Sequence, residues 1–371
     1  MKRLKNGFRC LAGALAFFAA SAAPALSQTE SIAEAAKKEG SVTVYTATDT
    51  ELAQRLLDAF TRKYGIAVDY NDMDTTDAYN RVISESAARQ PQADIVWSSA
   101  MDLQMTLVQD GYADVYKSPE STNIPAWANY NDTLYATTVE PVGLIYNKRA
   151  FTEGQLPRQY GDLIAFLRDN KSKLQGKVAT YDPERAGAAF LFQTNDVRER
   201  ADFWDLVKAM GEVGAKVYSS AGNMKETVVS GENSIALSII GSYALKWVDE
   251  SPNLGVHFMT DYTPAFSRLA FVVKDAPHPN AAKLFLDFML SEEGQSAAAA
   301  SGMPAVRSDT TVGLNINSLT ERVGGNLKPI ACSNTWILPS GSSSLTSGNQ
   351  RLVAKPNKSR ARNVRSTFEF N

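Results

Sequence analysis

From Ser41 onward the apolar positions change period repeatedly. Ser41 to Tyr45 (SVTVY) alternates and is β-branched, the period-two mark of a strand. Glu51 to Tyr64 carries Leu52, Leu56, Leu57 and Phe60 at helical spacing, and Ile66 to Tyr70 is strand-like again. This β-α-β order predicts a parallel sheet. The same reading gives a helix over Ala78 to Arg89, a strand over Ala93 to Trp97, and a helix over Met101 to Asp110 stopped by Gly111. Further strands are predicted over Val142 to Tyr146, Val178 to Tyr181, Ser234 to Ile240 and Phe271 to Lys274. Further helices are predicted over Asp162 to Arg168, Ala201 to Met210, Met224 to Ser230 and Asn280 to Leu290. No internal repeat is present. The predicted class is α/β.

The first 27 residues stand apart. Lys2, Arg3, Lys5 and Arg9 precede the small and apolar run Leu11 to Ala20, and Ala25-Leu26-Ser27 has the form of a cleavage site. An export signal over residues 1–27 is therefore expected, and with it a soluble extracytoplasmic protein. Its removal takes away Cys10 and leaves Cys332 alone, so no internal disulfide is expected. It also leaves 34 basic against 40 acidic residues, which gives no global positive field for nucleic acid.

The turns after the predicted strands carry the candidate chemistry. In Thr46-Ala47-Thr48-Asp49-Thr50-Glu51, Thr48 and Glu51 have capping-box spacing, which Ser99 and Asp102 repeat in Ser98-Ser99-Ala100-Met101-Asp102. Tyr181 is followed by Asp182-Pro183-Glu184, an N-cap with proline at the first helical position. Such helix starts offer backbone N–H groups to carboxylate or phosphate at the carboxyl ends of strands. Gly241-Ser242-Tyr243 reads as one more such turn. Arg268 enters the apolar run Leu269 to Val273 and needs an anionic partner there, whether a carboxylate of the protein or a bound ligand.

From the export signal to about Asp309 the chain resembles the periplasmic solute-binding proteins of ABC importers, in the iron(III)-type branch. The residues that carry this are VYTATDTE from Val44, ADIVWSSAMD from Ala93, VEPVGLIYNK from Val139, SGENSIALSIIGSYA from Ser230 and, most specifically, HPNAAKLFLDFMLSEEGQ from His278. The resemblance implies a type II periplasmic-binding-protein fold. Residues 40–136 with 264–329 would form lobe 1 and residues 138–259 lobe 2, joined by crossings over Thr137 to Gly143 and Phe258 to Thr263. Each lobe would be a mixed, mostly parallel sheet flanked by helices, and ligand would be held in the cleft as the lobes close. The implied partners are the permease subunits of an importer in the inner membrane, with the protein itself a monomer. Presentation of ligand to a membrane sensor kinase is an alternative role of the same fold.

Two ligand readings remain open. SSAMD, TYDPE, GSYA and the Asp261 to Arg268 stretch look most like the branch with phosphoglycerate, sugar-phosphate and phosphonate receptors. Thr46, Thr48, Ser98, Ser99, Ser242, Tyr243 and Arg268 are then the expected anion contacts. Tyr181 is expected in the same site, and Glu140 and Asp182 are candidates for solute hydroxyls or a metal. Ferric-binding members of the family use adjacent tyrosines with histidine and carboxylate, since hard oxygen donors suit a trivalent ion. No Tyr-Tyr pair occurs here; an iron site would have to gather Tyr45, Tyr181, Tyr243 and Tyr262, and structural roles are expected for His257 and His278. No G-x-S-x-G, H-E-x-x-H, Walker A or G-x-G-x-x-G is present, so neither catalysis nor a cofactor is expected.

Residues 330–371 depart from this pattern. They are rich in Ser and Asn and carry six basic residues against Glu369 alone, where the family ends in an amphipathic helix. A disordered basic extension is one reading. A frameshift near the Pro329 codon is the favoured one, because a neighbouring frame, under one permitted codon choice, encodes an amphipathic helical sequence.

Overall fold

The computed structural model describes residues 32–182 and 187–330. The expected export signal, Pro183 with Glu184, and the tail from residue 331 lie outside the described residues. A helix over residues 32–39 (α1) leads into β1 (Ser41–Thr46), α2 (Thr50–Tyr64), β2 (Ala67–Asp72), α3 (Thr75–Ala87), β3 (Ile95–Ser98) and α4 (Met101–Gln109). After β4 (Asn129–Tyr130) and β5 (Leu134–Ala136) come β6 (Glu140–Asn147), α5 (Tyr160–Asp169), α6 (Lys171–Leu174), β7 (Val178–Tyr181), α7 (Gly187–Glu199) and α8 (Phe203–Glu212). Then follow β8 (Lys216–Tyr218), α9 (Ala221–Ser230), β9 (Ile235–Ile240), α10 (Gly241–Glu250), β10 (Leu254–His257), β11 (Thr263–Phe266) and β12 (Leu269–Val272). The described part ends with α11 (Pro279–Leu290), α12 (Glu292–Ala299), α13 (Ile316–Arg322) and β13 (Leu327–Pro329).

Two mixed sheets result, both flanked by helices. The first has the order β2-β1-β3-β12-β5-β4, and the second β13-β11-β6-β9-β7-β8 with β10 beside β6. β1 runs parallel to β2 and β3, as the β-α-β pattern requires, while β12 enters antiparallel between β3 and β5. β3 and β12 are buried along their whole length, which is why they read as continuous apolar runs rather than alternating ones.

The helices follow their apolar spacing. α2 buries Leu52, Leu56, Leu57 and Phe60, and stops at Gly65, whose φ of 71° only glycine adopts freely. α11, the core of the family-like motif, buries nearly every residue from Ala281 to Leu290. Phe285 meets Phe60 edge-on with ring centroids 4.9 Å apart, and this contact ties α11 to α2. At the start of α11 the fully buried Asp94 accepts hydrogen bonds from Thr43 N and His278 N, and His278 Nδ1 lies 2.9 Å from it. His278 thus holds a helix to a sheet. His257 Nε2 lies 2.8 Å from the Pro157 carbonyl.

Besides the long return from β12 to β13, the chain passes between sheets at Thr137 to Val139 and at Ser267-Arg268. These two passages are bonded to each other: Thr137 N donates to the Arg268 carbonyl at 2.9 Å, and Arg268 N donates to Thr138 Oγ1 at 2.9 Å. The second passage corrects the sequence expectation, which put it near Phe258 to Thr263. β11 still pairs with β6 through Ala265 and Phe266, and β13 adds to its outer edge, so residues 263–266 and 327–329 belong to the second sheet. The pairing partners lie far apart in sequence, so no local pattern encodes them.

Candidate functional site

The carboxyl ends of β1, β3 and β9 and the starts of β6 and β12 meet around Arg268. Its position just before β12 leaves the side chain fully enclosed, 1% exposed, and Glu140 at the start of β6 is 0% exposed. Arg268 Nε lies 2.8 Å from Glu140 Oε1, although its N–H is not directed at that oxygen. Arg268 Nη1 donates to Thr48 Oγ1 at 2.9 Å, and Nη2 reaches Glu140 Oε2 at 3.4 Å. Thr138 Oγ1 donates to Glu140 Oε1 at 2.9 Å, and Ser242 Oγ donates to Oε2. Thr48 comes from the first sheet, Ser242 from the second, and Thr138 with Glu140 from the passage between them. One polar network therefore spans both halves of the molecule.

Burial of a lone guanidinium lowers its pKa, but the Glu140 carboxylate and the Tyr243 hydroxyl outweigh this and raise that of Arg268. Arg268 stays charged. Its Cζ lies 5.8 Å from the centre of the Tyr243 ring, which stacks on Trp247 at 5.6 Å with 18° between planes. Tyr70 Oη donates to the Thr48 carbonyl at 2.7 Å, and Thr48 N donates to Thr46 Oγ1 at 3.0 Å. These bonds fix the β1–α2 turn beneath the arginine.

Neither capping box forms. The N-caps of α2 and α4 are Asp49 and Ala100, each without a side-chain cap bond. Thr48 Oγ1 is taken by Arg268 instead, Glu51 pairs with Lys246 at 2.8 Å, and Ser98 Oγ accepts from Ala100 N at 3.2 Å. Gly241-Ser242-Tyr243 is not a free turn but the first turn of α10, which starts directly at the end of β9 and also lacks a side-chain cap. Gly241 makes that start possible: a Cβ there would stand 2.6 Å from the Pro141 carbonyl oxygen. Three helices thus start around the Arg268 network without an N-cap side-chain bond, although Asp72 accepts from Thr50 N at the start of α2 and the buried Asp102 carboxylate accepts from Leu103 N in α4. α2 follows Thr48, α10 carries Ser242, and α4 begins just past Ser98, which pairs in register with Leu269.

The structure therefore brings Thr46, Thr48, Glu140, Ser242, Tyr243 and Arg268 together. Ser98 serves its local turn, Ser99 is half-buried in that turn, and Asp182 is half-buried at the end of β7 with its N–H on the Tyr218 carbonyl. Thr138 and Tyr70 complete the network and were missed. Thr138 lies two residues before Glu140 and so shares its strand face, a signal the sequence did contain.

The four candidate tyrosines do not all converge: Tyr181 lies near enough to Tyr243 to interact with it, whereas Tyr45 and Tyr262 are engaged elsewhere. Tyr45 Oη donates to Glu85 on α3 at 2.7 Å, and Tyr262 Oη accepts from Asn195 on α7 at 2.5 Å. Burial raises the pKa of Tyr45, Tyr181, Tyr243 and Tyr262 alike. Among the described residues no group of three or more His, Cys, Asp or Glu side chains is placed to hold a metal ion. Among them, too, no helix is long and apolar enough to cross a membrane.

Comparison with known proteins gives a consistent result. The family model for bacterial extracellular solute-binding proteins matches residues 55–311. The crystal structure of the substrate-binding protein of an ABC transporter from Agrobacterium tumefaciens is 32% identical, with a TM-score of 0.76 over 88% of this chain and 93% of that one. Iron-bound HitA from Pseudomonas aeruginosa superposes with a TM-score of 0.63 at 21% identity, over 77% of this chain and 95% of that one. AfuA from Actinobacillus pleuropneumoniae, with fructose-6-phosphate bound, gives 0.61 at 20% identity, over 75% and 88%. An uncharacterized protein of Haemophilus influenzae is 23% identical over 72% of this chain and 78% of its own length. The protein belongs to the bacterial extracellular solute-binding family and has the two-sheet fold of the substrate-binding proteins of ABC transporters.

Proposed function

We propose that this protein is a periplasmic receptor that captures a small anionic solute, an organophosphate or phosphonate, between two closing lobes and delivers it to the permease of an ABC importer. The observation that carries this reading is the buried Arg268 where the starts of α2 and α10, one after a strand of each sheet, meet without N-cap side-chain bonds. A guanidinium, hydroxyls and backbone N–H groups are the donors that phosphoryl oxygens take up. The passages at residues 137–139 and 267–268 are the hinge in this reading, and the bonds from Thr48 and Ser242 into the Arg268–Glu140 pair draw the halves together. AfuA with its bound sugar phosphate is a precedent on the same fold.

Ferric ion is the second reading, brought in by the likeness to iron-bound HitA. It has less support, because Tyr45 and Tyr262 are engaged far from the Arg268 network. Thermal shift of the purified protein against organophosphates, phosphonates, carboxylates and Fe(III) with a synergistic anion tests both. Binding to the native state raises the melting temperature by mass action. A shift with a phosphorylated compound that is lost in Arg268→Lys, which cannot serve Thr48 and Glu140 together, supports the anion receptor. A coloured complex and a shift with Fe(III) alone refute it.

A further inference from the structure

Glu140 pairs with the residue that the solute is proposed to use. Its Oε1 receives Thr138 Oγ1 and faces Arg268 Nε, and its Oε2 receives Ser242 Oγ and Arg268 Nη2. Three hydrogen bonds and the charge contact with Nε hold the carboxylate. Among the described residues no other carboxylate stands within ion-pair distance of Arg268. The pair has no net charge, and both members are enclosed.

We propose that Glu140 is a specificity-determining residue of this site, an internal competitor for Arg268 that admits phosphoryl and phosphonyl groups and turns away monocarboxylates. The inference rests on the reading of Arg268 as the solute contact. A solute carboxylate offers the guanidinium the same charge and the same two oxygens that Glu140 offers. Glu140 offers them from a strand start already bonded to Thr138 and Ser242, at the high effective concentration of a tethered group. A phosphoryl group carries a charge of about −1.5 to −2 and three acceptor oxygens. Beyond Arg268, its further oxygens can take backbone N–H groups at the starts of α2 and α10, whose N-caps make no side-chain bond. Glu140 keeps its hydroxyl donors from Thr138 and Ser242 after giving up the guanidinium, so displacement leaves its charge solvated by hydrogen bonds.

Titration calorimetry on the full chain with glycerol 3-phosphate and with glycerate tests this. The wild type is expected to bind glycerol 3-phosphate and to show no heat with glycerate up to millimolar concentration. In Glu140→Gln, which removes the competitor's charge, glycerate is expected to bind, and the preference for the phosphate to fall at least tenfold. Where Glu140→Gln fails to fold, Glu140→Asp retains the charge but retracts it by one methylene, and an intermediate loss of discrimination is expected. An unchanged preference in a folded variant, or loss of glycerol 3-phosphate binding with no gain of glycerate binding, overturns the proposal. Arg268→Lys separates the two levels of the argument. If it abolishes glycerol 3-phosphate binding while Glu140→Gln leaves discrimination intact, the site reading stands and the role of Glu140 falls. If neither compound binds any form, both fall.

Discussion

Asp287 is the one acid in the buried stretch of α11, 6% exposed, with Tyr116 Oη donating to its Oδ2 at 2.7 Å and its Oδ1 without a partner. Burial pushes its pKa up to about 7, helped by Glu120 and opposed by hydrogen bonds from Ser118 and Tyr116. In the unfolded chain an aspartate titrates near 3.9. The folded value is the higher one, so the native state holds the proton more tightly and stability rises as pH falls through 7. The gain is complete below about 3.9. From pH 8 to pH 5 the native state takes up nearly one extra proton, which amounts to roughly 2.5 kcal/mol of added stability. Asp287→Asn removes this dependence. Urea unfolding of wild type and variant at pH 5, 6, 7 and 8 measures it, with the stability difference between the two expected to move by about that amount in favour of the wild type towards pH 5. Asp196, also pushed up by burial, to about 6, contributes with the same sign in both proteins and cancels. A difference that stays constant within about 0.5 kcal/mol refutes the assignment of a raised pKa to Asp287.

Three further outcomes are expected. Gly241→Ala drives a Cβ against Pro141 and displaces the start of α10, so it should cost about 1–3 kcal/mol and weaken solute binding, whereas Gly222→Ala, with open space at its Cβ, should leave melting temperature and binding unharmed. Phe60→Ala empties the contact between α2 and α11 and should cost about 3–5 kcal/mol in denaturant unfolding. Trp247 stacks on Tyr243 beside Arg268, so solute should change the intrinsic fluorescence of the wild type and change it less in Trp247→Phe; an equal response in both shows that Tyr243 does not sense the ligand.

Much of the secondary structure was legible because each signal is local. The alternation in SVTVY, the spacing of Leu52, Leu56, Leu57 and Phe60, and the apolar run in α11 each arise from side chains that share one face of one element. The family was legible for the same reason: HPNAAKLFLDFMLSEEGQ is the buried helix α11 followed by the Ser291 cap and first turn of α12. The chemistry of the strand ends was legible only in part. Thr48 and Glu51 have capping-box spacing, yet Thr48 bonds an arginine 220 residues away and Glu51 a lysine 195 away. Spacing along the chain says which partner is near in sequence, and a tertiary partner with a full charge outcompetes it.

The sequence by itself determined the α/β class, the strand–turn–helix units and the need of Arg268 for an anion, since these follow from local periodicity and from the cost of burying a charge. Only the tertiary structure decided that the anion is Glu140, that α10 begins at Gly241, that β11 and β13 join the second sheet, and that Tyr45 and Tyr262 are engaged with Glu85 and Asn195. Each of these depends on which distant segments lie side by side, and that is fixed by the joint packing of both sheets rather than by any single stretch of chain.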